Sequence, residues 1–412
     1  MRVLIVGAGG QGVGLAGLLV QEADVEELVV ADFDPAALAA AEAYVGRLGD
    51  RCRTREVRYE QVDASDSARV AEIATGVDVV ANCTVPQFNI PIMNAAIAVG
   101  AHYIDLFASP YEAEGVPYAE TIDAQFDLDD AFARAGATAI PSVGISPGWT
   151  SLAAQQAIDA LDVVDHVTIR FFDWIDTDEL FLAVSPYVIL HEWFGAPSPV
   201  RIVDGEVREA DLLESAEVFD FLEPLGERTV YTVTAHPDIV LIDRFAGKPI
   251  GRLEEKFGIG LGTLDTTQVI FKALQRTATA PDPSGGTRDV LEALETAFVP
   301  PIRYEELVEA GRIRNAHATF TVEVGGSKGG SPERHLFYYS VRPEVVEAKL
   351  PGMSGPVYAT VGGTPIELVL ALGRGEVVER GVVPLARLGI RERILAGIAA
   401  REIDIVERVV EG

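Results

Sequence analysis

Over the first 145 residues, short apolar runs alternate with stretches whose apolar positions recur at helical spacing. Val3–Val6, Leu28–Ala31, Arg55–Val62, Val77–Asn82, Ala101–Leu106 and Ala137–Val143 predict strands. Leu15–Gln21, Ala36–Leu48, Ser67–Thr75, Asn89–Val99 and Ala124–Ala135 predict the intervening helices. Continuous apolar strands, each followed by a helix, imply an α/β fold, a Rossmann-type doubly wound parallel sheet covered on both faces. Beyond Gly148 the rhythm changes. A helix over Leu152–Leu161 precedes longer alternating runs at Val167–Phe172, Thr229–Thr234, Ala316–Val324 and His335–Val341, which predict an α+β domain. Gly325–Pro332 reads as a Gly-rich hairpin connection with a mobile tip, and Thr277–Thr287 as an exposed loop. Pro365–Arg374 and Ile390–Val410 predict closing helices. The expected domains are therefore 1–145, 146–364 and 365–412.

Charge narrows the partners. Thirty-three basic and 63 acidic residues give a net charge of −30, which repels phosphate backbones and anionic lipid, so neither nucleic acid nor a membrane is expected. Two cysteines, Cys52 and Cys83, cannot form a disulfide framework and point to a reducing, cytoplasmic setting. The nearly uncharged Val3–Val20 is about as long as a membrane span. The glycines within it would make a poor lipid helix, and no small-residue cleavage site follows.

Those glycines carry chemistry instead. Gly7-Ala-Gly9-Gly10-Gln-Gly12 follows a strand and opens a helix. Gly7 allows the tight turn, Gly9 lets backbone approach a pyrophosphate, Gly12 lets helix and strand close up, and the helix N-terminus offers free amides. Asp32, at the end of the second strand, can accept both ribose hydroxyls of NAD and would repel a 2′-phosphate. Phe33 stands where an NADP enzyme often keeps an Arg, so NAD is the expected cofactor, with NADP left open. Asp34 reads as a helix cap before Pro35. Asn82-Cys-Thr-Val-Pro86 ends the fourth strand, making Thr84 and Pro86 candidates to line the cofactor and Cys83 a packing residue.

Together with Ala31-Asp-Phe33, Val62-Asp-Ala64, Pro86-x-x-Asn89, Gly100-Ala-His-Tyr-Ile-Asp105, Gly144-Ile-Ser-Pro-Gly148, His236-Pro-Asp-Ile-Val-Leu-Ile-Asp-Arg244, Gly362-Gly-Thr-Pro365 and Gly381-Val-Val-Pro384, the glycine turn resembles the saccharopine dehydrogenase-like family, including its lysine 6-dehydrogenase relatives. The resemblance spans nearly the whole chain. It implies a Rossmann domain, a second domain for substrate binding and homodimer formation, and a C-terminal segment packed back on the first domain. It also implies nicotinamide-linked chemistry at a carbon bearing an amine, on an amino-acid or polyamine-like substrate, and places Asp63 near the adenine. Ser146 departs from the Asp-Pro-Gly usual in the reductases, and Phe33 from the basic residue some of them carry.

Hydride transfer at a C–N carbon requires groups that deprotonate the amine and hold any carboxylate. Asp105, ending a parallel strand, is the first candidate to bind or deprotonate the amine. His191, in the apolar helical run Tyr187–Trp193, and His236 are candidate proton relays, while His102 reads as structural. Arg244 and Arg170 are candidate carboxylate grips. Asp173, Asp176, Asp178 and Glu179 form an acidic stretch attractive to a polyamine or merely solvated. No second His follows His191-Glu192 at zinc-binding spacing, so no metal is expected. The expected activity is an NAD-dependent dehydrogenase of CH–NH or CH–NH2 donors. A reductase joining a carbonyl with an amine, and a non-catalytic dinucleotide-binding scaffold, are the alternatives.

Overall fold

The computed structural model describes residues 1–108, 120, 122–182, 185–186, 189–190, 200–211, 214–232, 236–267, 269–270, 293–299 and 303–411. His191 and the Thr277–Thr287 loop lie outside the described residues. β1 (Arg2–Val6), β2 (Glu27–Asp32), β3 (Glu56–Gln61), β4 (Val79–Asn82), β5 (His102–Asp105) and β6 (Thr138–Ile140) make a parallel sheet in the order β6-β5-β4-β1-β2-β3. Valines, leucines and isoleucines of β1, β2 and β4 are buried on both faces, which is why these strands read as unbroken apolar runs. Strand order reverses between β1 and β4, so the ligand crevice of this sheet lies beyond their C-terminal ends.

Two features differ from the pattern-based expectation. The helix expected over Ala124–Ala135 is split into Asp123–Phe126 and Asp129–Ala135, because Asp129 and Asp130 favour a new helix N-terminus. A seventh strand, β16 (Gly381–Val382), comes from the C-terminal region and pairs parallel with β6. Two residues carry no periodicity, so only the sheet edge defines it.

The second sheet contains β7 (Val163–Thr177), β8 (Val200–Val203), β9 (Glu206–Glu209), β10 (Glu217–Asp220), β11 (Glu227–Thr232), β12 (Ile250–Leu261), β13 (Leu264–Asp265), β14 (Ile313–Lys328), β15 (Ser331–Ser340) and β17 (Asp404–Glu411). Its main path runs β10-β11-β12-β7-β14-β15-β17. Helices Trp149–Ala160, Pro237–Phe245 and Gly355–Val361 pack on its inner face, and Gly355–Val361 also packs on the first helix, Gly10–Leu19. A Cβ at Gly14 would lie 2.6 Å from Val357, so the small residue permits that close approach. Helix Thr364–Gly373 also packs on β4 and β5.

The Gly-rich hairpin and the C-terminus both needed correction. Gly325, Gly326, Ser327 and Lys328 continue β14 in register with β15, leaving only Gly329 (φ 58°) and Gly330 (φ 83°) as the turn. Positive φ at both positions suits a two-residue hairpin. Gly325 and Gly326 serve strand contact: a Cβ would meet the His166 ring at 2.2 Å and the Val163 carbonyl at 1.9 Å, respectively. Ile390–Val410 is not one helix. Helix Arg391–Ala400 ends, Glu402 takes φ 64°, and β17 pairs antiparallel with β15. The Asp-Ile-Val-Glu-Arg-Val-Val-Glu segment forms strand because the edge of β15 offers its backbone a ladder that a solvated helix would lack. No helix among the described residues is long and apolar enough to cross a membrane.

Candidate active site

The glycine turn is close-packed at Gly7 and Gly12 and open at Gly9. Gly7 has φ 103°, and a Cβ there would lie 2.8 Å from the Cys83 carbonyl carbon at the end of β4. A Cβ on Gly12 would lie 1.8 Å from the Gly7 oxygen, whereas one on Gly9 would meet nothing within 4 Å. The space beyond Gly9 is open. Helix Gly10–Leu19 has no side-chain cap and no acid in its first turn, leaving its N-terminal dipole for an anion. Asp32 closes the turn: Oδ2 accepts the Ala8 amide at 2.6 Å and Oδ1 the Asp34 amide at 2.9 Å. Phe33 beside it is 73% exposed. Asp34 caps the next helix through the Ala36 amide, 2.8 Å. Thr84 donates from its amide and hydroxyl to Asn82 Oδ1 at 2.9 and 2.6 Å, and Pro86 opens a short turn. Asp63 holds Ser65 and is fully exposed.

A second group of polar side chains assembles between the sheets. In Gly144-Ile-Ser-Pro-Gly148 the two glycine backbones are bridged, and a Cβ at Gly148 would sit 2.1 Å from the Gly144 oxygen. That tight turn aims Ser146 at helix Pro237–Phe245 and β12. Ser146 Oγ lies 2.5 Å from Asp238 Oδ2 and 2.7 Å from Glu255 Oε1, and the Thr150 and Ser151 hydroxyls reach Asp238 at 2.7 and 3.0 Å. His236 Nδ1 lies 2.7 Å from Glu255 Oε2. The Asp238 amide donates to Nδ1 at 3.4 Å, so Nδ1 caps the helix as an acceptor, and Glu255 Oε2 stands against it at ion-pair distance. His236, Asp238 and Glu255 are all buried.

One hydroxyl proton cannot serve two carboxylates. Ser146 can donate to Asp238 or to Glu255; its other short contact needs a proton on a carboxyl. Burial first, and then the neighbouring Glu255 charge, push Asp238 well above the usual carboxylate range. The trio thus stores one exchangeable proton beside an imidazole. Its ligand atoms lie within 4.8 Å of one another, so the same donor set could also take a cation.

Residues 3–140 match the family model described as the saccharopine dehydrogenase NADP binding domain. Among curated proteins, the chain is 27% identical over 279 residues to a carboxynorspermidine synthase of Vibrio cholerae, spanning 63% of each. Its fold superimposes on apo saccharopine dehydrogenase (L-Glu forming) from Saccharomyces cerevisiae with TM-score 0.69, 15% identity and 99% coverage of both chains. A homospermidine synthase from Legionella pneumophila in complex with NAD also gives TM-score 0.69, at 11% identity, covering 99% of this chain and 91% of the other. Residues 3–140 thus form a domain similar to the saccharopine dehydrogenase NADP binding domain, and the chain as a whole shares the fold of the two solved structures. The curated match spans less than two thirds of that relative's length.

In the folded chain, the sequence-derived candidates separate. Asp105 does end its strand, but it is buried rather than facing the crevice. Its oxygens accept from the Ser142 amide at 2.8 Å and Gln125 Nε2 at 2.7 Å, with Tyr103 and Phe107 as further donors. Those bonds tie down the loops after β5 and β6, and a carboxylate so occupied is a positioning group, not a base for substrate. Arg170 is turned away because strand side chains alternate: it pairs with Glu217 and Glu323 on the outer face, opposite Glu255. Arg244 ends its helix and pairs with Asp123 at 2.5 Å. Burial pushes the Cys83 thiol up to about 12, so it is not a nucleophile at neutral pH. His102 Nδ1 accepts the Thr138 amide at 3.0 Å, a structural role.

Sequence reasoning named His236 but missed Asp238, Glu255 and Ser146 as its companions. The His-x-Asp spacing and the acidic pair Glu254-Glu255 inside an apolar strand were the available signals. Nothing local joins them to Ser146.

Burial raises Asp105 from 3.8 to about 7. The folded chain therefore holds this proton more tightly than the unfolded one, and the stability it contributes is full in acid and lost as pH rises through about 7. Asp105→Ala is expected to strand the buried Ser142 amide and Gln125 donors and cost about 2–6 kcal/mol at about 1–3 each. Urea unfolding at several pH values should show this loss together with a shallower decline of stability toward neutral pH. Unchanged midpoints would remove the positioning role.

Proposed function

We propose that this chain is an NAD-preferring oxidoreductase acting at a carbon that bears an amine nitrogen. The observation that carries the reading is the buried His236–Glu255–Asp238–Ser146 group at the interdomain end of a dinucleotide-binding sheet. Gly7, Gly9, Gly12, the Gly10 helix start and Asp32 would hold the cofactor, with Asp63, Thr84 and Pro86 lining it. A bound nicotinamide accepts or supplies hydride at the C–N carbon. His236 takes or returns the proton of the substrate nitrogen. The Asp238 amide orients the imidazole through Nδ1, Glu255 beside it stabilises the positive charge, and Asp238 with Ser146 holds the proton in reserve. A divalent cation in the trio is the competing occupant; activity lost to a chelator and restored by metal would replace the proton reading.

An amino acid or polyamine-like amine is the substrate class supported by the relatives' names. Those relatives being named synthases favours the direction in which a carbonyl and an amine are joined and reduced. Purified protein should oxidise NADH with some carbonyl–amine pair, or reduce NAD with an amine such as lysine. Silence in both directions, with NAD bound, would favour a scaffold. A homodimer is supported by Val406, Val409 and Val410, each more than a third exposed on edge strand β17. The absence of any cysteine beyond Cys52 and Cys83 supports a cytoplasmic setting.

Asp32 decides between cofactors. Asp32→Gly removes a charged hydrogen-bond acceptor for ribose, expected to weaken NAD by about 10- to 100-fold. NADP should lose less or gain, because the repulsion of its phosphate is also removed. Equal kcat/KM for NAD and NADP in the unaltered protein would count against this assignment.

A further inference from the structure

Two buried asparagines have no part in the proposed mechanism. Asn82 ends β4 and Asn89 opens the helix Asn89–Val99, and they are 1% and 2% exposed. Asn82 Oδ1 takes the Thr84 amide and hydroxyl, while its Nδ2 donates to Asn89 Oδ1 at 2.8 Å and to the Tyr103 hydroxyl at 3.1 Å. Asn89 Nδ2 donates to the Phe107 carbonyl at 2.8 Å and to Gln125 Oε1 at 3.3 Å. Both hydrogens of each amide are engaged. Turning either side chain over would set an N–H against the Thr84 amide or an oxygen against the Phe107 carbonyl, so each has one orientation.

The two ends of this run lie at the two halves of the site. At one end, a Cβ on Gly7 would come within 3.0 Å of the Thr84 nitrogen, so Thr84 closes against the glycine turn. At the other end, Phe107 follows β5 with its amide held by Asp105 and its carbonyl by Asn89. Pinned at both polar groups of its backbone, it stands its ring against the His236 imidazole, centroids 5.2 Å apart and planes at 85°. The Asp238 amide and Glu255 both bear on Nδ1 of that imidazole. Contact at a single atom does not set the plane of a ring, whereas Phe107 meets the plane itself.

Resting on the proton transfer assigned to His236 above, we propose that Asn82 and Asn89 are positioning residues for that step. Acting through Phe107, they hold the imidazole in register with the Thr84 segment on the cofactor side. Hydride and proton move at neighbouring atoms of one substrate, so the groups that handle them need a fixed spacing, and a misplacement of about 1 Å costs up to about 10²-fold in rate. A fully bonded polar run between packed elements supplies that spacing, because it has one arrangement rather than several.

The test follows the His236 resonance in full-length protein labelled at the imidazole Cε1 carbons, assigned by its loss in His236→Gln, alongside single-turnover rates with NADH. Phe107→Leu should move the resonance and lower the rate by up to about 10²-fold, with the Kd for NADH within error. Phe107→Tyr, which keeps the ring, should retain both. Asn89→Ala should also move the resonance and lower the rate, yet add nothing to either in the Phe107→Leu background, while its effect on the unfolding temperature persists there. If Asn89→Ala does not fold, Asn89→Ser, whose shorter side chain also falls short of the Phe107 carbonyl, makes the same comparison. A His236 resonance unmoved by Phe107→Leu or by the Asn89 substitution, or an Asn89 rate loss of equal size in both backgrounds, overturns the positioning role. The resonance is read without turnover, so absence of hydride transfer, or a full-rate His236→Gln enzyme, would defeat the acid–base reading separately.

Discussion

His236→Gln is expected to lower kcat by about 10²- to 10⁴-fold, the usual contribution of a positioned general acid–base group, while the Kd for NADH stays within error. Glutamine keeps a polar group of similar length near Glu255 but cannot carry the proton. His236 sits in the helix-capping position of Pro237–Phe245 with Nδ1 accepting the Asp238 amide and Glu255 Oε2 2.7 Å away, placed to balance a proton gained by the ring. Stopped-flow single turnovers with NADH separate the chemical step from product release. A full-rate His236→Gln enzyme would remove the imidazole from the mechanism. Arg244→Ala is the matched comparison: its Asp123 partner predicts altered stability and an unaltered chemical step.

The second large effect belongs to the glycine turn. Gly12→Val should abolish measurable NADH binding and lower the unfolding temperature, because its Cβ would fall 1.8 Å from the Gly7 oxygen, and backbone there has nowhere to move. Overpacking of this kind costs about 1–3 kcal/mol or more. Gly9→Ala separates cofactor from fold, since no atom lies within 4 Å of its Cβ. It should unfold like the unaltered protein yet bind NADH at least about tenfold more weakly, the methyl standing where the diphosphate approaches. Fluorescence titration and thermal unfolding read the two effects independently. NADH binding retained by Gly12→Val would mean the turn holds something else.

The first sheet was legible from the chain because its information is local. Apolar strands, helical spacing, the glycine turn and Asp32 at the end of β2 all lie within one β-α-β unit, where short range decides geometry. Parts of β7, β11, β14 and β15 were legible for the same reason, and so was the existence of a hairpin joining β14 to β15, whereas β8, β9, β10, β12 and β13 were not. What failed was the assignment of segments whose partner is distant. β16 exists because the edge of β6 was free, and β17 is a strand because β15 offered it a ladder.

The site divides along the same line. Sequence by itself determined the cofactor turn and drew attention to His236. Only the tertiary structure decided that Ser146, Asp238 and Glu255 share a proton, that Asp105 is consumed by loop anchoring, and that Arg170 faces away from the site. Residues up to 109 apart meet in that trio and its serine. Titration, burial and the face a strand presents depend on what packs opposite, and no spacing along the chain encodes that.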